Sequence, residues 1–288
     1  MIFLGVDTGG TFTDFIVLEH GHLRVHKVLS TPDAPEKAIF QGIAELGLQN
    51  RSMTVIHGST VATNAALEGK GVKTAYVANT GLKDVLSIGR QARQKLYSLQ
   101  PELITPPVPE ELCLEIDCRI SSDGSWLTQL TENRLDDLVD RIKALDVQAV
   151  AVNLLFSFRD DAAEQLIRQK LPDDLFVSLS SQVLSEIGEY ERGMATWLNA
   201  WVGPLIQGYV DRLRLGLKHS RLSVMQSSGE TMDAGQAASQ AVRMLLSGPA
   251  GGLVGAQFVA AKSSQYRLMT FDMGGTSTDV ALILSLIH

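Results

Sequence analysis

Two short runs carry the residues best suited to chemistry. Asp7-Thr8-Gly9-Gly10-Thr11-Phe12-Thr13-Asp14 near one end recurs as Asp272-Met273-Gly274-Gly275-Thr276-Ser277-Thr278-Asp279 near the other, with differences only at the second and sixth positions. Each run follows an apolar segment (IFLGV, RLMTF) and precedes another (FIVL, VALI), so each is expected to be the turn of a β-hairpin. Paired glycines admit positive φ and leave the backbone uncovered. Exposed N–H groups and threonine hydroxyls then make a concavity for an anion. The leading aspartate, at a strand end, can hold Mg²⁺ directly or through water. Two such turns on two like lobes, facing one cleft, predict a nucleotide-binding arrangement.

Other residues have weaker claims. His57-Gly58-Ser59-Thr60, with Thr63 and Asn64, ends a strand and opens a helix, which places polar groups and free N–H groups at a pocket edge. Arg90 and Arg93 could reach a phosphate or a substrate carboxylate. Glu189-Tyr190-Glu191-Arg192 offers carboxylates or a surface ion pair. Gly248-Pro249-Ala250-Gly251-Gly252 is expected as a glycine-rich turn opening a helix at 253–262, with Gly251 and Gly252 near the nucleotide. His20, His22 and His26 read as surface residues. No G-x-x-x-x-G-K-[ST] or G-x-S-x-G run occurs, and GPAGGLVG does not fit G-x-G-x-x-G.

The elements that would position these residues follow from periodicity. A meander of three strands is expected at 2–6, 12–18 and 23–29, and a helix from Pro35. Strands follow at 53–59 and 72–79, around a helix at 61–68. A proline-rich loop spans 98–111. After it come one strand at 112–120, an amphipathic helix at 131–145 and an all-apolar strand at 147–156 covered on both faces. A helix, a strand, two helical stretches (189–200 and 204–218) and a strand at 222–228 lead to the last strand at 267–273. The expected lobe is a mixed, five-stranded sheet.

The 288 residues hold 25 Lys+Arg against 32 Asp+Glu, a net charge of −7, which disfavours a nucleic-acid-binding face. No stretch approaches the ~20 apolar residues that span a bilayer, and no signal peptide is expected at MIFLGVDTGG. Cys113 and Cys118 lie roughly 16 Å apart if on one strand, out of disulfide reach. These features fit a reducing cytoplasm.

The paired D-x-G-G-T hairpins resemble the phosphate motifs of the actin, heat-shock chaperone and sugar-kinase superfamily. The narrower resemblance is to the ATP-dependent hydantoinase/5-oxoprolinase family, A-type (N-methylhydantoinase A-like) subunit, which includes acetone carboxylase subunits. It is carried from end to end by GVDTGGTFTD, VIHGSTVATNAALEGKG, LKDVLSIGRQARQKLYSL, AVAVNLLFSF, EYERGMATWLNAWVGP, VMQSSGE, LSGPAGG and FDMGGTSTDVAL. Gly229-Glu230 stands where the family usually has two glycines, and the chain is expected to be truncated relative to the family.

The resemblance implies an α/β fold: a ribonuclease-H-like (actin-like ATPase) lobe with a mixed sheet, an additional α/β segment and an incomplete second lobe. The corresponding segments are 1–80, 81–185 and 186–288. It implies hydrolysis of a cyclic amide of hydantoin or 5-oxoproline type, with ATP phosphorylating the amide oxygen. ATP and Mg²⁺ are the cofactors expected, a B-type hydantoinase subunit the partner, and a homo-oligomer is compatible with it. Asp7 and Asp272 would be the catalytic and metal-holding carboxylates. Gly9, Gly10, Thr11, Thr13 and Asp14, Gly251 and Gly252, and Gly274, Gly275, Thr276, Thr278 and Asp279 would surround the nucleotide. His57, Thr60, Asn64, Arg90 and Arg93 would face the substrate. The alternatives are a non-catalytic nucleotide-binding or subunit-interaction fragment and a small-molecule kinase of the same superfamily.

Overall fold

The structure, a computed structural model, describes residues 1–92, 97, 99, 105–273 and 278–284. The chain divides into two compact units, one of Met1–Lys70 with Leu205–His288 and one of Gly71–Pro204. The strand expected at the end of the first sequence segment, 72–79, thus belongs to the second unit.

The opening meander forms as its alternation dictates: β1 (Ile2–Thr8), β2 (Phe12–Glu19) and β3 (His22–Leu29). Leu4, Val6, Phe15, Val17 and Val28 point inward. Pro35 opens α1 (Pro35–Glu45), where its missing N–H is not needed. The helix meets β2 through Gly42, whose place would otherwise be contested by the Phe15 ring: a Cβ there would stand 2.2 Å from it. β4 (Thr54–Ser59) and α2 (Val61–Leu67) complete the first stretch.

The second unit is built on β5 (Thr74–Asn79), α3 (Val85–Ile88), β6 (Cys113–Ile116), β7 (Arg119–Ile120), β8 (Trp126–Thr128), α4 (Glu132–Ala144), β9 (Ala149–Asn153), α5 (Ala162–Lys170), β10 (Phe176–Leu179) and α6 (Ser180–Val183). A parallel sheet runs in the order β10-β9-β5-β6, and every residue of β5 and β9 is buried. One face presents Val77, Val150 and Val152 to the apolar stripe of α4 and to Ile167 of α5; the other presents Tyr76, Ala149 and Ala151 to Trp197 and Ala200. Ala149 and Ala151 on that second face leave room for the large indole. The proline-rich stretch lies partly outside the described residues.

The strand expected at 112–120 is two strands. Asn79 donates its side-chain amide to the Cys118 carbonyl at 2.6 Å and Cys118 N–H bonds back to Ile116, so pairing is interrupted at Asp117-Cys118. Both cysteines are free. The two helical stretches expected around Pro204 are one helix, α7 (Glu189–Gly216), with Pro204 inside it. Proline disfavours the preceding helical turn, but Ala200, Val202 and Ile206 are each fully buried there, and that packing outweighs one lost backbone bond.

The chain then returns to the first unit through β11 (Arg221–Met225), β12 (Thr231–Asp233), α8 (Ala234–Ser239), α9 (Ser247–Lys262), β13 (Leu268–Met273) and β14 (Thr278–Ile283). Its mixed sheet has six strands, in the order β12-β11-β4-β1-β2-β3; the strand at 72–79 is not among them, and β12, which pairs with β11, has no counterpart among the expected strands. The turn between them places its positive φ, 81°, on Gly229, so Glu230 is spared the left-handed region that a second glycine would serve. The Gly248–Gly252 run is not a turn before a helix but the opening of α9 itself. Leu246 takes a left-handed conformation, its N–H is held by Thr63 Oγ1, and Pro249 falls in the first turn. β13 and β14 form a separate two-stranded sheet.

Candidate functional site

The two Asp-to-Asp runs fold alike at their strand ends. Across β1–β2, Asp7 pairs with Asp14; across β13–β14, Asp272 pairs with Asp279, so the repeated sequence keeps one register. Both hairpins lie in the first unit.

A cavity of about 290 Å³ opens on the outward face of the six-stranded sheet. Asp7 and Asp14 give it a polar end, Ile16, Ile56 and Met225 an apolar wall, and Ser247, Gly248, Gly251 and Gly252 of α9 a wall of backbone. The first N–H groups of a helix have no intrahelical acceptor; here Pro249 has no N–H and Ala250 bonds the Leu246 carbonyl, so Ser247 and Gly248 are the donors left for an anion. Burial pushes the Asp7 carboxyl above the ordinary carboxylate range, and Asp14 and Asp272 lie close enough to raise it further by like-charge repulsion. Asp14 is itself paired with Lys27 at 2.9 Å.

The tip of the first hairpin is braced from behind. Ser30 Oγ donates to the Gly9 carbonyl at 2.7 Å, Ser30 N–H bonds the Thr11 carbonyl, and Thr13 Oγ1 meets Ser30 Oγ at 3.0 Å. Gly10 and Thr11 stay exposed, whereas Thr13 is fully buried, so its hydroxyl serves the brace and not the cavity. Thr60 Oγ1 donates to the Thr8 carbonyl at 3.0 Å and fixes the end of β1; Asn64 reaches Thr60 and is exposed. Thr278, Asp272 and Asp279 are exposed. Gly274, Gly275 and Thr276 lie outside the described residues.

His57 does not line the cavity. It is 1% exposed, with Nε2 2.6 Å from the Tyr209 hydroxyl and Nδ1 3.3 Å from the Val6 carbonyl. A carbonyl can only accept, so Nδ1 carries the proton and Nε2 accepts from Tyr209. Burial lowers its pKa to about 4 and keeps it neutral. Arg90 belongs to the second unit, where its Nε meets Glu191 Oε1 at 2.6 Å. Arg93 lies outside the described residues. Arg192, the last residue of the charged run at 189–192, is buried. It donates to Asn153, Ser180 and the Leu154 and Glu186 carbonyls, next to a buried Glu164 that accepts from Ser180, Ser181 and Leu154 N–H.

Met225 and Ser247 were not singled out by sequence reasoning as site residues, and Gly58 stood in the His57–Thr60 run without a role of its own, whereas the Gly248–Gly252 run was expected near the nucleotide. Strand parity held the signal for Gly58: with Val55, His57 and Ser59 inward, Ile56 and Gly58 share the outward face with Asp7. Among the described residues, no group of three or more His, Cys, Asp or Glu forms a ready metal cage. Mg²⁺ needs less, since one or two carboxylates plus phosphate oxygens suffice. The donor set fits it: a cation beside Asp7 would relieve the crowding that raises its proton affinity.

These features are those of an actin-like ATPase lobe. The sequence matches the hydantoinase/oxoprolinase N-terminal region over residues 3–173 and the hydantoinase/oxoprolinase domain over 192–286, and the chain belongs to that family. It is 34% identical to caprolactamase subunit alpha of Pseudomonas jessenii over 302 residues, covering 97% of this chain and 43% of that one. The crystal structure of the ATP-dependent caprolactamase from that organism superposes with a TM-score of 0.79 at 31% identity, covering 97% and 43%. The 5-oxoprolinase of Saccharomyces cerevisiae is 30% identical over 333 residues, covering 96% and 25%. A nucleotide-free acetone carboxylase shares the fold, with a TM-score of 0.87 at 24% identity over 98% of this chain and 44% of that chain. The chain thus spans under half the length of these relatives. Among the described residues, no helix is long and apolar enough to cross a membrane.

Proposed function

We propose that this chain carries the phosphate-handling lobe of an ATP-dependent hydrolase of cyclic amides, working as one subunit of a larger enzyme. The observation that supports it most is the convergence of Asp7, Asp14 and the glycines of α9 on one small cavity, with Asp272 of the second hairpin near Asp7. Opening an unstrained cyclic amide is unfavourable near neutrality, so coupling it to ATP gives such a site its purpose.

In this reading the amide oxygen attacks the γ-phosphorus of ATP and ADP leaves. Water then adds to the activated carbon and the ring nitrogen leaves with a proton, which leaves an acyl phosphate; a second water cleaves that anhydride to the carboxylate and free phosphate. The N–H groups of Gly10 and Thr11 and of the α9 start orient phosphate oxygens, while Gly9, whose own N–H is held by the Phe12 carbonyl, leaves the approach uncovered; Gly274, Gly275 and Thr276 remain proposed phosphate contacts. Asp7 and Asp272 would hold Mg²⁺, which supplies charge neutralisation on the phosphates when bound. The apolar wall of Ile16, Ile56 and Met225 keeps bulk water from the reacting end. Arg90, Arg93, Asn64 and Thr60 remain proposed substrate contacts. A B-type partner subunit suits relatives that are named as subunits, and two free thiols suit a cytoplasmic setting.

The test is calorimetric titration of MgATP into wild type and Asp7→Ala. We expect the variant to lose at least tenfold in affinity; equal affinities sink the assignment. ADP release that depends on 5-oxoproline, a hydantoin or a lactam, with a B-type subunit present, identifies the reaction. A phosphorylated sugar as product would instead support a kinase, and nucleotide binding with no turnover in any combination a binding fragment.

A further inference from the structure

The Asp7 carboxylate makes no hydrogen bond or ion pair among the described residues, so packing must set where it stands. Its neighbour in the parallel ladder is Gly58 on β4. Paired residues of adjacent strands present their side chains to the same face, and a side chain at 58 would project alongside the carboxylate. A Cβ built on Gly58 would stand 3.2 Å from Asp7 Oδ1, while one on Gly248 would stand 4.0 Å from the same oxygen. Gly58 is not among the residues with positive φ. What a side chain at 58 meets is therefore a matter of space at the Asp7 carboxylate and not of backbone conformation.

Resting on the phosphate-site reading above, we propose that Gly58 is the positioning residue for Asp7: the bare backbone at 58 forms the slot in which the carboxylate stands, and filling it displaces the carboxylate from its working place. The slot works through one oxygen. A methyl at 3.2 Å forces that oxygen to give by a few tenths of an ångström, and Asp14 and Asp272 make the neighbourhood one of like charge. The effect belongs to the metal-bound nucleotide, because only the Mg²⁺-dependent part of binding runs through Asp7.

The experiment titrates the full chain with MgATP, and with ATP in EDTA, for wild type, Gly58→Ala, Asp7→Asn and the double variant. Gly58→Ala should weaken MgATP about tenfold and leave metal-free ATP within about twofold. The double variant should bind no worse than Asp7→Asn alone, as expected for two residues acting through one contact. Wild-type affinity in Gly58→Ala, equal weakening of both nucleotide forms, or additive losses in the double variant would overturn the proposal.

If wild type binds no MgATP, or Asp7→Asn binds it normally, the phosphate reading fails by itself. The slot is then decided by high-resolution crystal structures of wild type and Gly58→Ala, in which Asp7 Oδ1 should stand a few tenths of an ångström further from residue 58 in the variant; an unmoved carboxylate overturns the slot. Should Gly58→Ala not fold, Asp7→Ala in the same background should restore folding, since it removes the oxygen the methyl meets. Failure to restore it refutes the slot.

Discussion

At the scale of single residues, the site is held at an energetic disadvantage. Burial and two neighbouring carboxylates raise the Asp7 pKa above its unfolded value, so ionised Asp7 opposes folding at neutral pH. Asp7→Asn should therefore raise the midpoint of thermal unfolding at pH 7.5. The gain should vanish as pH falls below the unfolded carboxylate pKa, where both states of the wild type are protonated. A variant that weakens MgATP while stabilising the fold separates a functional carboxylate from a structural one.

His57 has the opposite sign. Its pKa falls from 6.5 unfolded to about 4 folded, so the unfolded chain binds the extra proton between those values. Stability is full above pH 6.5 and falls by up to about 3 kcal/mol as pH drops to 4. Urea midpoints at pH 7.5 and 4.5 should show this loss in wild type and much less of it in His57→Gln. Sequence spacing placed His57 at the cavity because it flanks Gly58 and Thr60. Strand parity sends it inward to Tyr209, a partner more than a hundred residues distant that no local pattern could supply.

At the scale of elements, strands with clean alternation and helices with clear starts were legible, because their information is local. Pro35 and the inward Leu4, Val6, Phe15 and Val17 are examples. What was not legible depends on contacts remote in sequence. The Asn79 amide breaks the strand at Cys118, buried neighbours carry α7 through Pro204, and Thr63 holds Leu246 so that the glycine run begins a helix. The same remote packing makes particular glycines sensitive. Gly42→Ala would set a methyl against the Phe15 ring between α1 and β2, and should cost about 1–3 kcal/mol in urea denaturation. Arg192→Met should cost more, about 3–5 kcal/mol, because it strips the donors from Asn153, Ser180 and two carbonyls beside a buried Glu164. A loss under 1 kcal/mol would show that the network relaxes around water.

At the scale of the molecule, the division into units follows chain continuity in an instructive way. The second unit is one unbroken stretch, Gly71–Pro204, whereas the first is assembled from both sides of it. Both faces of the β10-β9-β5-β6 sheet are covered by residues of that stretch, with Ile142 and Ile167 on one side and Trp197 and Ala200 on the other. Its buried network of Asn153, Glu164, Ser180 and Arg192 is also internal. A sheet with both faces covered and its buried polar groups paired meets the conditions for independent folding. A fragment of residues 71–204 should therefore give a single cooperative urea transition. Trp126, Trp197 and Trp201, the three tryptophans of the chain, all lie within it. Tryptophan emission consequently reports this unit alone, and the fragment should reproduce the blue-shifted spectrum of the whole protein. A gradual, non-cooperative change in emission would mean that the first unit is needed to fold the second.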